Sequence, residues 1–431
     1  MKLRILLSAY ACEPGKGSEP GVGWHWANEM AALGHEVWVL TRSNNQTAIE
    51  AALAASPQRP QLRFVYYDLP NCLLWLKRRG LPVQMYYALW QFGVLRTARE
   101  LHERIRFHAV QHLTFGGFRT PSRLWKLGVP FVFGPVGGGE RAPMALRRDM
   151  GWRPHASELL RDLLLVLARA NPMLRRCLRE SALILCKTDD TRQALPGFVR
   201  ARAKCQLEIG ISTPHQISKS DEPQRASSEC LRLLFVGRFI HWKGGAIAIR
   251  ALIEALDRGA GAMLTLVGTG PEEARWRRLV AAAGVEHRIQ WHPWLSQAEL
   301  QAVYQSHDAL LFPSLHDSSG NVVLEALSHG LPVICVDLGG PAQVVDDLSA
   351  IVVRTHDRTY AQVIIDLGAA IVRLSAQPDV VRSKARGAAQ RALMLSWTQT
   401  VGRVWQADAL ATWYVPKAIA VRRSPDSIHA R

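Results

Sequence analysis

FVGRFIHWKGG, residues 235–245, joins a buried-strand pattern to a helix through a short loop that carries glycine and two cations. The apolar run 231–236 has strand length, Gly237 breaks it, and Lys243-Gly244 opens the next helical pattern. Arg238 and Lys243 lie five residues apart on this loop, so both can converge on one diphosphate. A helix N-terminus behind them adds unpaired amides and the positive end of its dipole. The same two cations also suit a solvated loop.

Two further segments follow the same strand-loop-helix plan. VGTGPEE, residues 267–273, ends a strand in a glycine turn; Gly268-x-Gly270 is two thirds of a dinucleotide fingerprint, with Glu273 in place of its third glycine. A plain tight turn fits it equally. In FPSLHDSSGNVVLEALSHGLPVI, residues 312–334, a strand ends at Pro313 and a helix begins near Asn321. Backbone amides of Ser319, Gly320, Asn321 and Val322 are expected to face an anion there, and Glu325 to accept hydrogen bonds from a ribose. Asp317 and Glu325 also fit an N-cap acid and a surface glutamate. Gly15-Lys16-Gly17-Ser18 lacks the glycine five residues before the lysine and is not a P-loop.

Outward from these segments, strand-length apolar runs alternate with helical patterns over the whole chain, which predicts α/β architecture with parallel sheets. Strands are expected at 3–9, 36–41, 62–67, 109–113, 131–134 and 183–187, with helices such as 21–33 and 84–106 between them. The polar stretch 212–230, with Pro214 and Pro223, reads as a linker. The pattern restarts at 231–236 and continues at 263–267, 289–291, 309–312 and 332–336. This divides the chain into a first domain (1–211), the linker, a second domain (231–395), a closing helix (396–415) and a basic tail (416–431). Two doubly wound, Rossmann-like domains place ligands at strand C-terminal ends, in the central cleft between them.

Taken together, the three loops resemble family 4 of the retaining glycosyltransferases with the GT-B fold (glycosyl transferases group 1). That family shows G-R-x-x-x-x-K-G, then V-G-x-G, then an acid-x7-acid loop and E-A-x-x-x-G-x-P-V, here Glu325-Ala326-Leu327-Ser328-His329-Gly330-Leu331-Pro332-Val333. The likeness covers 231–345 and reaches the first domain in GKGSEPGVGW and GHEVWVLT, and the chain end in Leu395-Ser396-Trp397, ahead of a helix that crosses back. It implies that Arg238 and Lys243 bind a donor diphosphate, Glu325 a ribose, and Asp317 the donor sugar, with Gly237, Gly268 and Gly270 shaping the donor site. Gly21 of the first glycine loop, with Gly137 and Gly138, is expected on the acceptor side. The base is expected after 289–291, with Trp294 either stacked on it or in the core.

The chain departs from the family at several points. Asp317 stands where glutamate is usual, and Gly339-Gly340 lead to Gln343 where a glutamate is usual. Where many members carry a histidine after the strand at 131–134, this chain has GPVGGGE, residues 134–140. His112 is then the nearest candidate histidine for the cleft, and a structural histidine fits it as well.

Composition bounds the rest. The 431 residues suit two domains of roughly 200 residues. The formal net charge of +17 is uneven: residues 1–215 hold 30 Lys/Arg against 16 Asp/Glu, the remainder 23 against 20. An anionic partner for the first half follows, a membrane surface or nucleic acid, though no nucleic-acid reader module is recognisable. Segments 73–80 and 159–180 mix apolar and arginine-rich faces, as interfacial helices do and as ordinary amphipathic helices also do. No run approaches the ~20 apolar residues of a spanning helix, and the start MKLRILLSAYAC has too short an apolar run for an export signal. Seven scattered cysteines without a C-x-x-C pair predict neither disulfides nor a zinc site. No D-x-D motif bridges a metal, so the expectation is metal-independent, cofactor-free transfer. The predicted protein is a cytoplasmic hexosyltransferase of exopolysaccharide assembly, contacting a nucleotide-diphosphate sugar, a glycan or lipid-linked acceptor and the inner face of the cell membrane. A nucleotide-sugar epimerase and a non-catalytic donor-binding subunit are the alternatives.

Overall fold

The structure, a computed structural model, describes residues 1–55, 61–148, 150–212 and 230–414. The predicted linker, apart from Ser212 and Cys230, and the basic tail 416–431 lie outside the described residues. The first domain is built on β1 (Arg4–Ser8), β2 (Glu36–Thr41), β3 (Leu62–Tyr66), β4 (Ala109–His112), β5 (Phe131–Val136), β6 (Leu183–Cys186) and β7 (Ala203–Cys205). The second has β8 (Leu231–Val236), β9 (Ala262–Val267), β10 (Ile289–His292), β11 (Ala309–Phe312), β12 (Val333–Val336) and β13 (Ala350–Val353). All pairings are parallel, in the orders β3-β2-β1-β4-β5-β6-β7 and β10-β9-β8-β11-β12-β13.

A parallel sheet is covered on both faces, so its strands need continuous apolar runs rather than alternation. AVQH of β4 and ALLF of β11 are buried at every position. Strand order reverses between β1 and β4 and again between β8 and β11, which leaves a crevice at each of those places. Two strands escaped the sequence reading. β7 is three residues long with two of them exposed, at the sheet edge. β13 (AIVV) is a four-residue apolar run that periodicity cannot separate from the helices after it.

The chain end returns to the first domain. Helix Trp397–Trp405 starts at Ser396, whose hydroxyl accepts from Gln399 N. Trp397 stacks on His25 with ring centroids 4.5 Å apart. Trp405 Nε1 donates to Gln111 Oε1 at 2.8 Å, and His35 Nε2 lies 2.9 Å from the Trp405 carbonyl. These polar contacts are buried, so removing one partner while the helix stays docked would leave the other unpaired and away from water.

Candidate active site

The loops after β8 and β11 meet at the second domain's reversal point. Leu315 N donates to the Trp242 carbonyl at 2.8 Å, and Ser314 Oγ donates to the same oxygen. Gly237 has φ +149°, and a Cβ on Gly268 would lie 2.1 Å from the Gly237 carbonyl oxygen. The Gly268-x-Gly270 turn therefore braces the loop from behind: Phe239 N donates to the Thr269 carbonyl, and Gly270 packs on Phe239 backbone. Its glycines are required by this close backbone approach.

On that brace, Lys243 pairs with the Asp317 carboxylate. Burial alone would raise the Asp317 pKa, but the Lys243 ammonium and the amides of Ser319 and Gly320 outweigh it and hold the carboxyl below its usual range. Asp317 Oδ1 accepts from Ser319 N (3.2 Å) and Gly320 N (3.3 Å). This corrects the expectation for that loop: of four amides expected to be free, two are taken by Asp317. Helix Asn321–Ser328 begins after Gly320 with no side-chain cap, and Leu324 N is bonded to the Gly320 carbonyl. Asn321 and Val322 thus have amides with no intrahelical partner. Arg238 is exposed and makes no side-chain hydrogen bond or ion pair among the described residues.

Glu325, one turn into that helix, accepts a hydrogen bond from Tyr304 Oη at 3.0 Å. Both line a cavity of about 390 Å³ whose wall includes Gly17 of the first domain and Leu295, Gln297 and His329 of the second. Trp294 does not line it and is 58% exposed, so it is not a core residue, and Leu295 occupies the wall where Trp294 was expected.

The first domain meets these loops closely. A Cβ on Gly137 would lie 3.0 Å from Lys187 Cδ and 3.1 Å from Ser318 Cβ. Lys187 Nζ is 2.6 Å from Glu208 Oε1 and 3.6 Å from Glu19 Oε1, and Ser319 Oγ donates to Glu208 Oε1 at 2.7 Å. Burial opposes the charge on Lys187, yet Glu208 and Glu19 outweigh it and raise the lysine's pKa. Gly339 N, at the start of the Gly-Gly segment, donates to Asp190 Oδ2, and Gly340 N to the Asp317 carbonyl. Gly138 N donates to Glu140, whose other oxygen accepts from Thr188 and Thr191 at 2.7 Å each, so GPVGGGE is a braced loop. Gly21 lies in the first helix, Ser18–Ala32, under the Lys16 carbonyl.

His112 is a correction. It is completely buried, its Nε2 lies 3.1 Å from Tyr87 Oη, and its ring packs near Phe133. Burial pushes its pKa down to about 4. Enclosed on the core side of β4, it presents nothing to the cleft.

One cluster was missed in the sequence. Glu158 Oε1 lies 3.1 Å from His241 Nε2 and 2.9 Å from His316 Nε2. Glu158 belongs to helix Trp152–Ala170 of the first domain, and the histidines to the two donor-side loops. His241 and His316 sit inside segments already singled out, but nothing in the sequence pairs them with a helical glutamate some 80 or more residues upstream.

Two facing Rossmann-like domains with a basic loop pair at one reversal point define the class: the chain has the GT-B fold. Residues 230–370 match the family Glycosyl transferases group 1. The chain is similar to 2-deoxystreptamine glucosyltransferase of Streptomyces kanamyceticus, 38% identical over 106 residues, which are 25% of this chain and 27% of that protein. It is 25% identical over 423 residues to D-inositol 3-phosphate glycosyltransferase of Actinosynnema mirum, covering 93% and 95% of the two chains. Across three further matches, each a D-inositol 3-phosphate glycosyltransferase, the aligned region spans only 31% to 45% of the curated relative. Among solved structures, sucrose-phosphate synthase from Thermosynechococcus elongatus superposes with TM-score 0.60 at 16% identity over 95% of this chain and 99% of that one. Anabaena HepE in complex with UDP and glucose superposes with TM-score 0.54 at 16% identity over 95% and 100%.

Proposed function

We propose that the protein is a retaining glycosyltransferase that moves a sugar from a nucleotide-diphosphate donor to a glycan or lipid-linked glycan acceptor. The observation that carries this reading is the exposed, unpartnered Arg238 beside the Lys243–Asp317 pair and the uncapped helix start at Asn321. Together they offer two cations and free amides to one anion at a strand-order reversal. The group 1 match over the same residues and the UDP bound by HepE support it.

In this reading Arg238 and Lys243 grip the donor diphosphate. As the bond to the anomeric carbon breaks, charge builds on that leaving group. Preorganised cations then stabilise the transition state more than the ground state, which raises rate. Lys243 exchanges its Asp317 partner for phosphate oxygens, leaving Asp317 to accept from donor-sugar hydroxyls. Glu325, at the cavity wall, accepts from the ribose hydroxyls. The transfer uses no metal ion, and a phosphate oxygen takes the acceptor proton.

The acceptor binds the first domain, at the inner face of the cell membrane during surface-polysaccharide assembly. An exposed apolar face on helix Trp152–Ala170 and the basic first half support this placement. No helix among the described residues is long and apolar enough to cross a membrane. A second reading, a soluble phosphorylated polyol as acceptor, is favoured by the same positive charge and by the inositol phosphate named for the Actinosynnema relative.

The test is a panel of nucleotide sugars with released nucleotide diphosphate as readout, beside Arg238→Ala and Lys243→Ala. Release from one donor, lost in both variants, is expected. Absence of both turnover and binding for every donor would sink the reading.

A further inference from the structure

We propose that Glu158, His241 and His316 form a divalent transition-metal site, of the zinc class, that staples the two domains across the cleft. The three ligand atoms lie within 4.8 Å of one another, with both imidazole Nε2 atoms 2.9–3.1 Å from one carboxylate oxygen. Tetrahedral zinc with bonds of ~2.0–2.2 Å holds its ligands roughly 3.3 Å apart. Both carboxylate–imidazole distances are therefore close to metal-ligand spacing, and filling the site needs the two imidazoles, which lie within 4.8 Å of each other, to close on the ion by at most about 1.5 Å.

A second observation points the same way. Glu158 is buried, and its Oε2 has no hydrogen-bond partner among the described residues. An orphaned buried carboxylate oxygen costs free energy, and a cation bound at the carboxylate relieves it.

The imidazole rings are oriented before any ion arrives. Trp242 stacks on His316 with centroids 5.1 Å apart and meets His241 edge-on at 4.7 Å. Two imidazoles and one carboxylate suit zinc or cobalt, whereas magnesium and calcium prefer all-oxygen shells. Three protein ligands leave one position for water.

The consequence is mechanical. His241 lies two residues before Lys243 and His316 immediately before Asp317, so a metal bound there fixes both donor loops against the first-domain helix. The ion fastens the domains and contributes no charge to the transfer step. The site does not rest on the glycosyltransferase reading.

The experiment uses the full chain stripped with a chelator and titrated with Co²⁺ alone, followed by visible absorption and then by Zn²⁺ competition. One tight site per chain with tetrahedral-type bands is expected. Loss of a mere supporting hydrogen bond to a ligand weakens metal binding ~10–100-fold, so loss of a ligand should cost at least that. Glu158→Gln, His316→Gln and, as a second histidine variant, His241→Asn should each show it, while His356→Asn, at an exposed histidine elsewhere, should bind as the parent. Circular dichroism of the metal-free variants separates ligand loss from misfolding. No tight site, or binding undiminished in folded Glu158→Gln and His316→Gln, overturns the proposal.

Discussion

Gly137 of the first domain and Ser318 of the second face each other so closely that a Cβ on Gly137 would stand 3.1 Å from Ser318 Cβ, with Lys187 Cδ at 3.0 Å on its other side. The Lys187 stem cannot yield easily, because its ammonium is tied to Glu208 and Glu19. Gly137→Ala should therefore push the domains apart rather than strain its own backbone. Overpacking of this kind costs about 1–3 kcal/mol. Small-angle scattering should show a more open average shape, and donor turnover should fall by roughly 5–100-fold in step with that cost. An unchanged scattering profile together with unchanged turnover would mean that the two domains need not meet as they do here.

Arg238 and Lys243 should separate by stability although both reduce turnover. Loss of either cation should lower turnover by roughly 100–1,000-fold, as loss of one oxyanion-type donor does. Arg238 has no side-chain partner among the described residues, so Arg238→Ala should melt like the parent. Lys243→Ala leaves the Asp317 carboxylate without its counter-ion in a largely buried place. A cost of roughly 1–3 kcal/mol follows. Adding Asp317→Asn should recover most of that stability and none of the turnover. Equal melting of all three variants would contradict the ion pair.

His112 gives a pH dependence with a definite sign. Its pKa is about 4 folded against 6.5 for the free group, so the unfolded chain binds the proton first. Stability from this residue is constant above about pH 6.5, falls as pH drops toward 4, and levels off below that. At ~1.4 kcal/mol per pKa unit the loss is roughly 3 kcal/mol. Chemical denaturation of the parent and His112→Gln at pH 7.5, 5.5 and 4.5 checks it. The gap between the two proteins should change in the variant's favour as pH falls, and a constant gap would refute the buried neutral imidazole.

The donor half was legible because its chemistry is local. Strand, glycine, cation and helix start follow one another within 235–245, and parallel strands announce themselves as unbroken apolar runs such as ALLF. What stayed hidden depends on tertiary approach. Gly268 reads as a phosphate-loop glycine, but its role is to admit the Gly237 carbonyl. Ser319 and Gly320 read as free donors, but the shorter Asp317 side chain folds back onto both amides. His112 ends a strand as a cleft residue would, yet its side chain points to Tyr87 on the covered face, and strand alternation alone does not say which face a domain partner will fill. Glu158 lies mid-helix among leucines and gains meaning only from two histidines of the other domain.

That helix also carries the last prediction. Trp152, Leu159, Leu160, Leu163, Leu164, Val166 and Leu167 are all exposed large apolar side chains on Trp152–Ala170, while Glu158 on its inner face is buried. Their spacing of three, four and seven residues gathers Leu160, Leu163, Leu164 and Leu167 into one stripe. A stripe of this kind is too costly to leave in water without a use, since a fully buried leucine gains ~1.5–3 kcal/mol. Arg153 and Arg169 lie on the same helix and Arg175, Arg176 and Arg179 just beyond it, where each basic group near an anionic leaflet adds ~1 kcal/mol. Vesicles containing phosphatidylserine should therefore sediment with the parent protein at low salt. The double variant Leu160→Glu/Leu167→Glu should bind at least ~10-fold more weakly, by the loss of one partly buried leucine's worth of transfer free energy or more. Because these side chains face away from Glu158, the variant should keep its donor affinity. If the parent ignores anionic vesicles, the stripe is instead a contact between copies of the chain, and the double variant should then shift the parent's mass in sedimentation equilibrium from dimer to monomer.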